Sequence, residues 1–385
     1  MTFSLPPRLR RGLAGWLLFT SLAVHVPIAV VAVSHSTVKD ADFDNYYNIG
    51  TKPGRPYKDF PVEFPIGALA TFRAIAPMAG TFERFCLILV LINFAADMAI
   101  AGLLVWGWGI PAAATYAFVM IPLVDLFFLR MDLWSTAFAT LGVAAWCRDR
   151  RNLAAIGFAA GAAYKLWPLA FLPLLLVPSP TRKRPASIAT AFAAGIVVLA
   201  GWLWVAGPAG LYQVLTFRGA RGWEVESTVG AIWALFDQSS LRLEMGAWRI
   251  GATSGPISVL FFVLGVVPCL WIVWRGARTG RVGTGWAGGI SALLVMSALL
   301  SPQFACWLAP ASGVAWVEKD RRTAVLIGLV IFFSNLLWKD FNALLHGLTR
   351  PLLILMARNL LLGFLAFDAA RRVARAPLIA QTLPD

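Results

Sequence analysis

The residues best suited to chemistry are concentrated in one short stretch near the N-terminus. Asp40-Ala-Asp42-Phe-Asp44-Asn45-Tyr46-Tyr47 is followed by Gly54-Arg55-Pro56-Tyr57-Lys58-Asp59 and then Val62-Glu63-Phe64-Pro65. Five carboxylates and three tyrosines lie between Asp40 and Pro65. A solvated loop would account for acids alone. The interleaved aromatics and Gly/Pro turns instead suggest a loop that packs back and holds a carboxylate over a cavity. Such a carboxylate can take the proton from a hydroxyl, a sugar hydroxyl for instance, as its oxygen attacks. The acids lack the Gly and distal Glu of a calcium loop, and no metal or cofactor is expected.

Isolated polar residues in apolar surroundings form a second set of candidates. Lys165 stands between two apolar half-helices, a costly position unless the cation has a partner or a function; snorkelling to the interface is the plainer explanation. Arg358 lies within the last apolar run and either faces a polar cavity or pairs with Asp132 or Asp340. Arg130 and Asp132 flank a turn, where a local ion pair or a helix cap accounts for them and a substrate role is the alternative. Asp97, near mid-bilayer, is expected to face the interior and be neutral or paired, while Asp125 lies closer to the outer side. His346 could bind a phosphate from a loop, His35 is a weaker candidate, and His25 reads as a span residue. Glu226 reads as a loop acid and Gln303 as a capping amide before a helix, and Trp223, Trp233 or Trp307 could stack on a ligand face.

The elements that must position these residues are membrane helices. Hydrophobic residues make up 59% of the 385 and charged residues 14%, with a mean hydropathy of +0.72. A soluble surface needs far more charge, and the apolar blocks match the roughly 20 residues a helix needs to cross hydrocarbon. Arg8, Arg10 and Arg11 before a run from Leu13 to Val33 read as a signal anchor. Spans are expected at about 12–34, 84–106, 110–129, 133–147, 188–206, 256–274, 286–300, 304–317, 323–338 and 351–368. Residues 62–80 form an amphipathic interfacial segment, and 152–177 forms a helical hairpin broken near Lys165 and Pro168. With that hairpin, the clusters Arg148/Arg150/Arg151, Arg182/Lys183/Arg184, Arg275/Arg278/Arg281, Lys319/Arg321/Arg322 and Arg371/Arg372/Arg375 join the N-terminal arginines on one side, the cytoplasm. The expected fold is therefore an all-α, polytopic transmembrane bundle of about twelve membrane helices with both termini cytoplasmic. Residues 1–385 read as one domain, with residues 35–80 its first extracytoplasmic loop and interfacial segment, and 208–255 a long second loop. The net charge of +14 reflects these clusters; no basic stretch carries the aromatics or motifs of a nucleic-acid binder. Cys86, Cys147, Cys269 and Cys306 share no ligand spacing and read as packing residues.

Six pieces of sequence resemble one family. Asp42-x-x-x-Tyr46, Gly54-x-Pro56-Tyr57-x-Asp59 and Val62-Glu63-Phe64-Pro65 look like the first-loop signature of GT-C membrane glycosyltransferases. They are closest to family 87, the polyprenyl-phosphate-mannose-dependent α-mannosyltransferases. Lys165-Leu-Trp-Pro168, Val225-Glu226-Ser227-Thr228 and Ser301-Pro302-Gln303-Phe-x-x-Trp307 agree with them in order and in membrane side. The resemblance implies inverting transfer of a hexose, mannose by analogy, from a polyprenyl-phosphate donor to a lipid-linked or glycan acceptor. The reaction would occur at the extracytoplasmic face of a bacterial cell membrane. It implies Asp42 as the base, with Asp44 the close alternative, and Lys165, His346 and Arg358 near the donor phosphate. Tyr46, Tyr57, Asp59, Glu63, Glu226 and Gln303 would line the substrates. The lipid phosphate leaves as an anion, so one carboxylate suffices, unlike the pair of a hydrolase. A transporter or flippase of a lipid-linked sugar is the alternative, but internal repeats and midplane polar sites are the marks of that class.

Overall fold

The computed structural model describes residues 7–36, 41–177, 184–216, 220–252 and 255–378. In chain order the helices are α1 (Pro7–Ser36), α2 (Ala41–Thr51), α3 (Ile66–Ala79), α4 (Phe82–Trp108), α5 (Ile110–Met120), α6 (Val124–Phe128), α7 (Asp132–Cys147), α8 (Arg151–Tyr164) and α9 (Pro173–Leu176). They continue with α10 (Arg184–Leu215), α11 (Thr228–Phe236), α12 (Gly255–Arg278), α13 (Val282–Val295), α14 (Ala309–Val317), α15 (Arg321–Lys339), α16 (Phe341–Leu345) and α17 (Thr349–Arg375). Local chemistry sets several of their ends. Thr81 caps α4 by accepting from Arg84 N, and Asp320 caps α15 by accepting from Thr323 N, each satisfying an orphan N–H of a first turn. Gly207, at φ 65°, followed by Pro208 kinks α10.

Among the described residues, seven helical segments are long and apolar enough to cross a bilayer: Gly12–Ser34, Phe82–Trp108, Ile110–Phe128, Ile188–Leu215, Leu260–Arg278, Arg321–Lys339 and Thr349–Arg375. Their outward faces carry large apolar side chains such as Phe192, Val197 and Trp204. Exposure on that scale suits lipid and not water. The chain is thus an all-α helical membrane protein.

Residues 152–177 form the hairpin expected from the sequence. Helix α8 ends at Lys165, which is extended, and a 3-10 turn over Trp167–Phe171 leads back through α9. The return is fixed by Arg151 at the start of α8, whose guanidinium donates to the carbonyl of Val177 at 2.7 Å. Close helix contact helps here: a Cβ on Gly157 of α8 would lie 2.9 Å from the Gly142 nitrogen of α7, the approach small residues permit between membrane helices.

Four of the basic clusters meet at one end. Arg275 donates to the carbonyls of Val373 and Ala374. Arg372 pairs with Asp320, and Glu318 accepts from Val282 N and Gly283 N. Glu318 also acts on Cys147, beside Arg148. The cluster at 182–184 lies largely outside the described residues, as do Asp40 and the side chains of Arg8, Arg10, Arg11 and His35.

Two expected loops prove structured. The first contains α2, whose opening turn carries Asp42 and Asp44, placed where acids oppose the positive end of the helix dipole. The second holds α11 and a three-stranded antiparallel sheet, β1 (Trp223–Glu224), β2 (Arg242–Glu244) and β3 (Ala247–Ile250), in the order β1-β3-β2. The all-α description therefore needs this small sheet added. Strands β2 and β3 pair as a local hairpin across Met245-Gly246, and β1 joins β3 from an earlier segment through Trp223–Ile250.

Candidate functional site

Two charged networks assemble at the end of the bundle opposite the basic clusters, and the segment Ser301–Trp307 joins them. The first centres on the turn between α6 and α7. Asn93 Nδ2 donates to the carbonyl of Phe128 at 2.6 Å and fixes the start of that turn. From it Arg130 reaches Asp42, with Nε 2.6 Å from Oδ2, and lies over the Trp338 ring at 5.4 Å. Asp132 turns the other way, its Oδ1 2.8 Å from Lys165 Nζ and accepting from Trp307 Nε1 at 2.9 Å. The cation–π contacts of Lys165 are to Phe304 at 4.6 Å and Trp307 at 5.6 Å. Trp307 stacks on Trp167 with centroids 5.1 Å apart, and Trp167 donates to Ser135 Oγ. Arg130 and Asp132 therefore do not form the local ion pair their spacing suggests; each binds a residue from a distant part of the chain.

Burial separates the roles within this network. The Asp132 side chain is 2% exposed and Lys165 19%, whereas Asp42 is 39% exposed while its partner Arg130 is 9%. The carboxylate of Asp42 is thus part-exposed while the arginine that holds it is buried. Asp44, half-buried on the same first turn, makes no hydrogen bond or ion pair to a described residue.

The remaining first-loop candidates build the platform under Asp42. Tyr46 is buried and stacks on Phe72 at 4.7 Å, with Phe64 edge-on at 5.4 Å. Tyr57 is buried with φ 64°, donates to the carbonyl of Phe64, and accepts from Gln213 Nε2 through its own carbonyl. Its hydroxyl is pushed up from the ordinary range, by burial and then by Glu63. Glu63 accepts from Asn45, and Asp59 staples a surface turn by accepting from Arg55 N. Helix α2 can lie close on α3 because Gly50 has no side chain; a Cβ there would meet Phe72 O at 2.7 Å. Burial places Tyr46 and Tyr57 in the support of the loop and not at its open face, a correction to their expected substrate role, while Asp59 stays exposed on the surface turn.

The second network lies under the sheet. Glu224 accepts from Ser301 Oγ at 2.8 Å and from Leu300 N at 2.5 Å. Arg358 Nη2 donates to the carbonyl of Glu226 at 2.5 Å, with Leu300 O at 3.4 Å, and Asn359 adds a bond to the same Glu226 carbonyl. Burial raises both glutamates above the usual carboxylate range; for Glu226 the charge of Glu224 adds to this and Arg358 opposes it. Glu226 Oε1 and Arg358 Nη1 have no hydrogen-bond partner among the described residues. The cavity beside Arg358, with Ser301 and Ser334 in its wall, is about 10 Å³, the space of a single water.

Arg358 therefore departs from both expected pairings. Asp132 is held by Lys165, Asp340 by Arg350 at 3.5 Å, and Arg358 is 1% exposed, tying α17 to the strand region. His346 is also elsewhere: it is exposed at the end of α16, its Nδ1 2.7 Å from the Asn342 carbonyl. The three residues expected around one phosphate do not converge; only Lys165 belongs to the network of Asp42. Gln303 stands half-buried on the joining segment between the two networks. Trp223 is buried against Phe261, and Trp307 is 7% exposed, so of the three expected stacking platforms only Trp233 is open.

Sequence reading missed Glu224 and understated Arg130 and Asp132. The signal for the latter two was there: opposite charges on either side of a single residue, Met131, in an otherwise apolar stretch. Asp97 behaves as expected, buried and bonded to His25 Nδ1 at 2.7 Å and to the Tyr116 hydroxyl at 2.6 Å. Among the described residues no group of three His, Cys, Asp or Glu side chains is placed to hold a metal. No protein-family model matches this sequence, and no curated protein matches it at a significant level.

Proposed function

We propose that the protein transfers a hexose from a polyprenyl-phosphate donor to a hydroxyl of a lipid-linked or glycan acceptor. The observation that carries this reading is the Asp42–Arg130 and Asp132–Lys165 assembly at one end of a membrane bundle. It supplies a part-exposed carboxylate held by one cation, Arg130, with a second cation, Lys165, held by Asp132 across the same turn. In the transfer, the acceptor oxygen bonds to the anomeric carbon as the carbon–phosphate oxygen bond breaks. The hydroxyl proton passes to Asp42, and the electron pair leaves on the lipid phosphate, which Lys165 and Arg130 neutralise. Attack opposite the leaving group inverts the anomeric centre.

The same reading takes the chain as twelve membrane helices with the basic end in the cytoplasm and the Asp42 end outside. Support comes from the Arg151–Val177 closure of the hairpin and from the shared end of the basic clusters, the side that cytoplasmic charge favours. The shorter apolar helices Ile66–Ala79, Trp167–Leu176 and Val282–Val295 add membrane-embedded segments beyond the long ones. Mannose is the expected sugar.

The test is transfer of labelled mannose from polyprenyl-phosphate-mannose in membranes carrying wild type, Asp42→Asn or Asp44→Asn. Loss of a general base is expected to cost about 10²–10⁴-fold in rate. Full activity in both variants overturns the assignment of the base, and lipid flipping without transfer to any acceptor overturns the enzyme.

A further inference from the structure

The end of the bundle opposite Asp42 contains a cavity of about 540 Å³. It is walled by the α12–α13 turn, the start of α15 and the end of α17. Five arginines line it, Arg281, Arg322, Arg371, Arg372 and Arg375, against one carboxylate, Asp368. That carboxylate is already engaged, 3.3 Å from Arg322 and 2.8 Å from Arg372. Arg372 is further held by Asp320 at 2.6 Å. The side chains of Arg281, Arg371 and Arg375 have no ion pair among the described residues, and all three are exposed. Like charges gathered around one recess repel unless an anion sits among them, and guanidinium groups suit the oxygens of a phosphate.

The remaining wall shows which anion fits. Phe364 and Phe367 border the recess and are 42% and 66% exposed. They continue upward along α17 as Leu360, 68% exposed, and Leu353, 61% exposed. Spacings of three, four and seven place these four on a single helix face. An apolar stripe on a membrane helix faces lipid, and here it ends in the basic recess. A soluble phosphate would use the arginines and leave the stripe unexplained; a phospholipid uses both, its headgroup in the recess and its chain along α17.

We propose that this recess is a binding site for an anionic glycerophospholipid. It is separate from the site of Asp42. Helix α15 runs from Arg322 in the recess wall to Trp338 under Arg130, 16 residues or about 24 Å at 1.5 Å per residue. The lipid would clasp the α12–α13 turn, α15 and α17 at the end where their arginines meet.

The experiment uses the purified full chain, delipidated in detergent and titrated with phosphatidylglycerol, phosphatidylcholine or inorganic phosphate. Retained lipid is measured by mass spectrometry and thermal stability in parallel. Phosphatidylglycerol is expected to be retained and to raise the melting temperature, with the other two ligands doing neither. Arg371→Gln/Arg375→Gln is expected to weaken retention about 30-fold, as two interfacial arginines contribute. Arg281→Gln, on a turn outside the helices, provides a second and milder loss should the double variant fail to fold. Arg150→Gln/Lys319→Gln removes the same charge from the same end outside the recess and is expected to retain lipid. Equal loss in that control would reduce the effect to surface charge and overturn the site. Equal stabilisation by inorganic phosphate or phosphatidylcholine would overturn its assignment to an anionic lipid.

Discussion

Replacing Asp132 by Asn and Lys165 by Met, singly and together, tests the centre of the first charged network. The two groups are 2.8 Å apart, with side chains 2% and 19% exposed. At that distance the bare attraction is about 6 kcal/mol for an effective dielectric near 20. Desolvation of both groups offsets much of it, so the pair itself adds little net stability. Removing one partner is different, because it strands the other charge, at about 3–5 kcal/mol. Lys165→Met strands a carboxylate that is almost wholly enclosed and should fall at the upper end. Asp132→Asn leaves a lysine that can lean towards solvent, and the Asn oxygen can still accept from Trp307 Nε1; about 3 kcal/mol is expected. The double variant leaves neither charge, so its loss should be smaller than the sum of the singles by about 2–3 kcal/mol. Denaturant titration in mixed micelles, followed by tryptophan fluorescence, reads all four proteins. Singles each within about 1 kcal/mol of wild type with an additive double would refute the reasoning, since that is how a solvated surface pair behaves.

Further outcomes follow from other parts of the structure. Gly157→Ala should destabilise by about 1–3 kcal/mol through overpacking, because its Cβ would meet backbone of Gly142 and Phe138 at 2.9–3.0 Å. Gly102→Ala, with nothing within 4 Å, is the control and should be neutral or stabilising in the same titration. Burial pushes Glu318 up to about 8 from 4.5, against the pull of hydrogen bonds from Gly283 and Val282. The folded chain holds that proton across this window while the unfolded chain has released it, so its contribution to stability is lost as pH rises through the window. Thermal stability measured from pH 5 to 8 should therefore decline in wild type and flatten in Glu318→Gln; an unchanged slope would remove Glu318 as the cause. In membranes, Arg130→Lys should keep more transfer activity than Arg130→Ala, since lysine preserves a charge for Asp42 but loses the planar contact with Trp338.

What could be read from residues alone was whatever follows from periodicity, hydropathy and the expense of charge in lipid. Long apolar runs dictate helices that cross hydrocarbon, because no other single-chain segment satisfies its own backbone there. Lys165 beside Pro168 breaks one such run, and the hairpin between Arg151 and Val177 is the consequence. Asp97 was legible as a paired interior acid because an unpaired one would be too costly. The acids and aromatics around Asp42 marked a loop that folds back, although not that its tyrosines would be spent on packing.

Tertiary structure decided the partners. Trp307 and Asp132 are 175 residues apart, and Arg358 and the Glu226 carbonyl 132; no local pattern selects such pairs. Arg358 could as easily have faced Asp132 or Asp340, and the choice was made by where α17 packs against the strand region. Glu224 was hidden for the same reason, since a glutamate in a polar segment becomes informative only when a sheet and Ser301 bury it. The turn at Arg130 and Asp132 shows the division most clearly. Charge and spacing announced a turn, but only the packing of α2, α8 and the Ser301–Trp307 segment around it sent its two charges in opposite directions, one to Asp42 and one to Lys165.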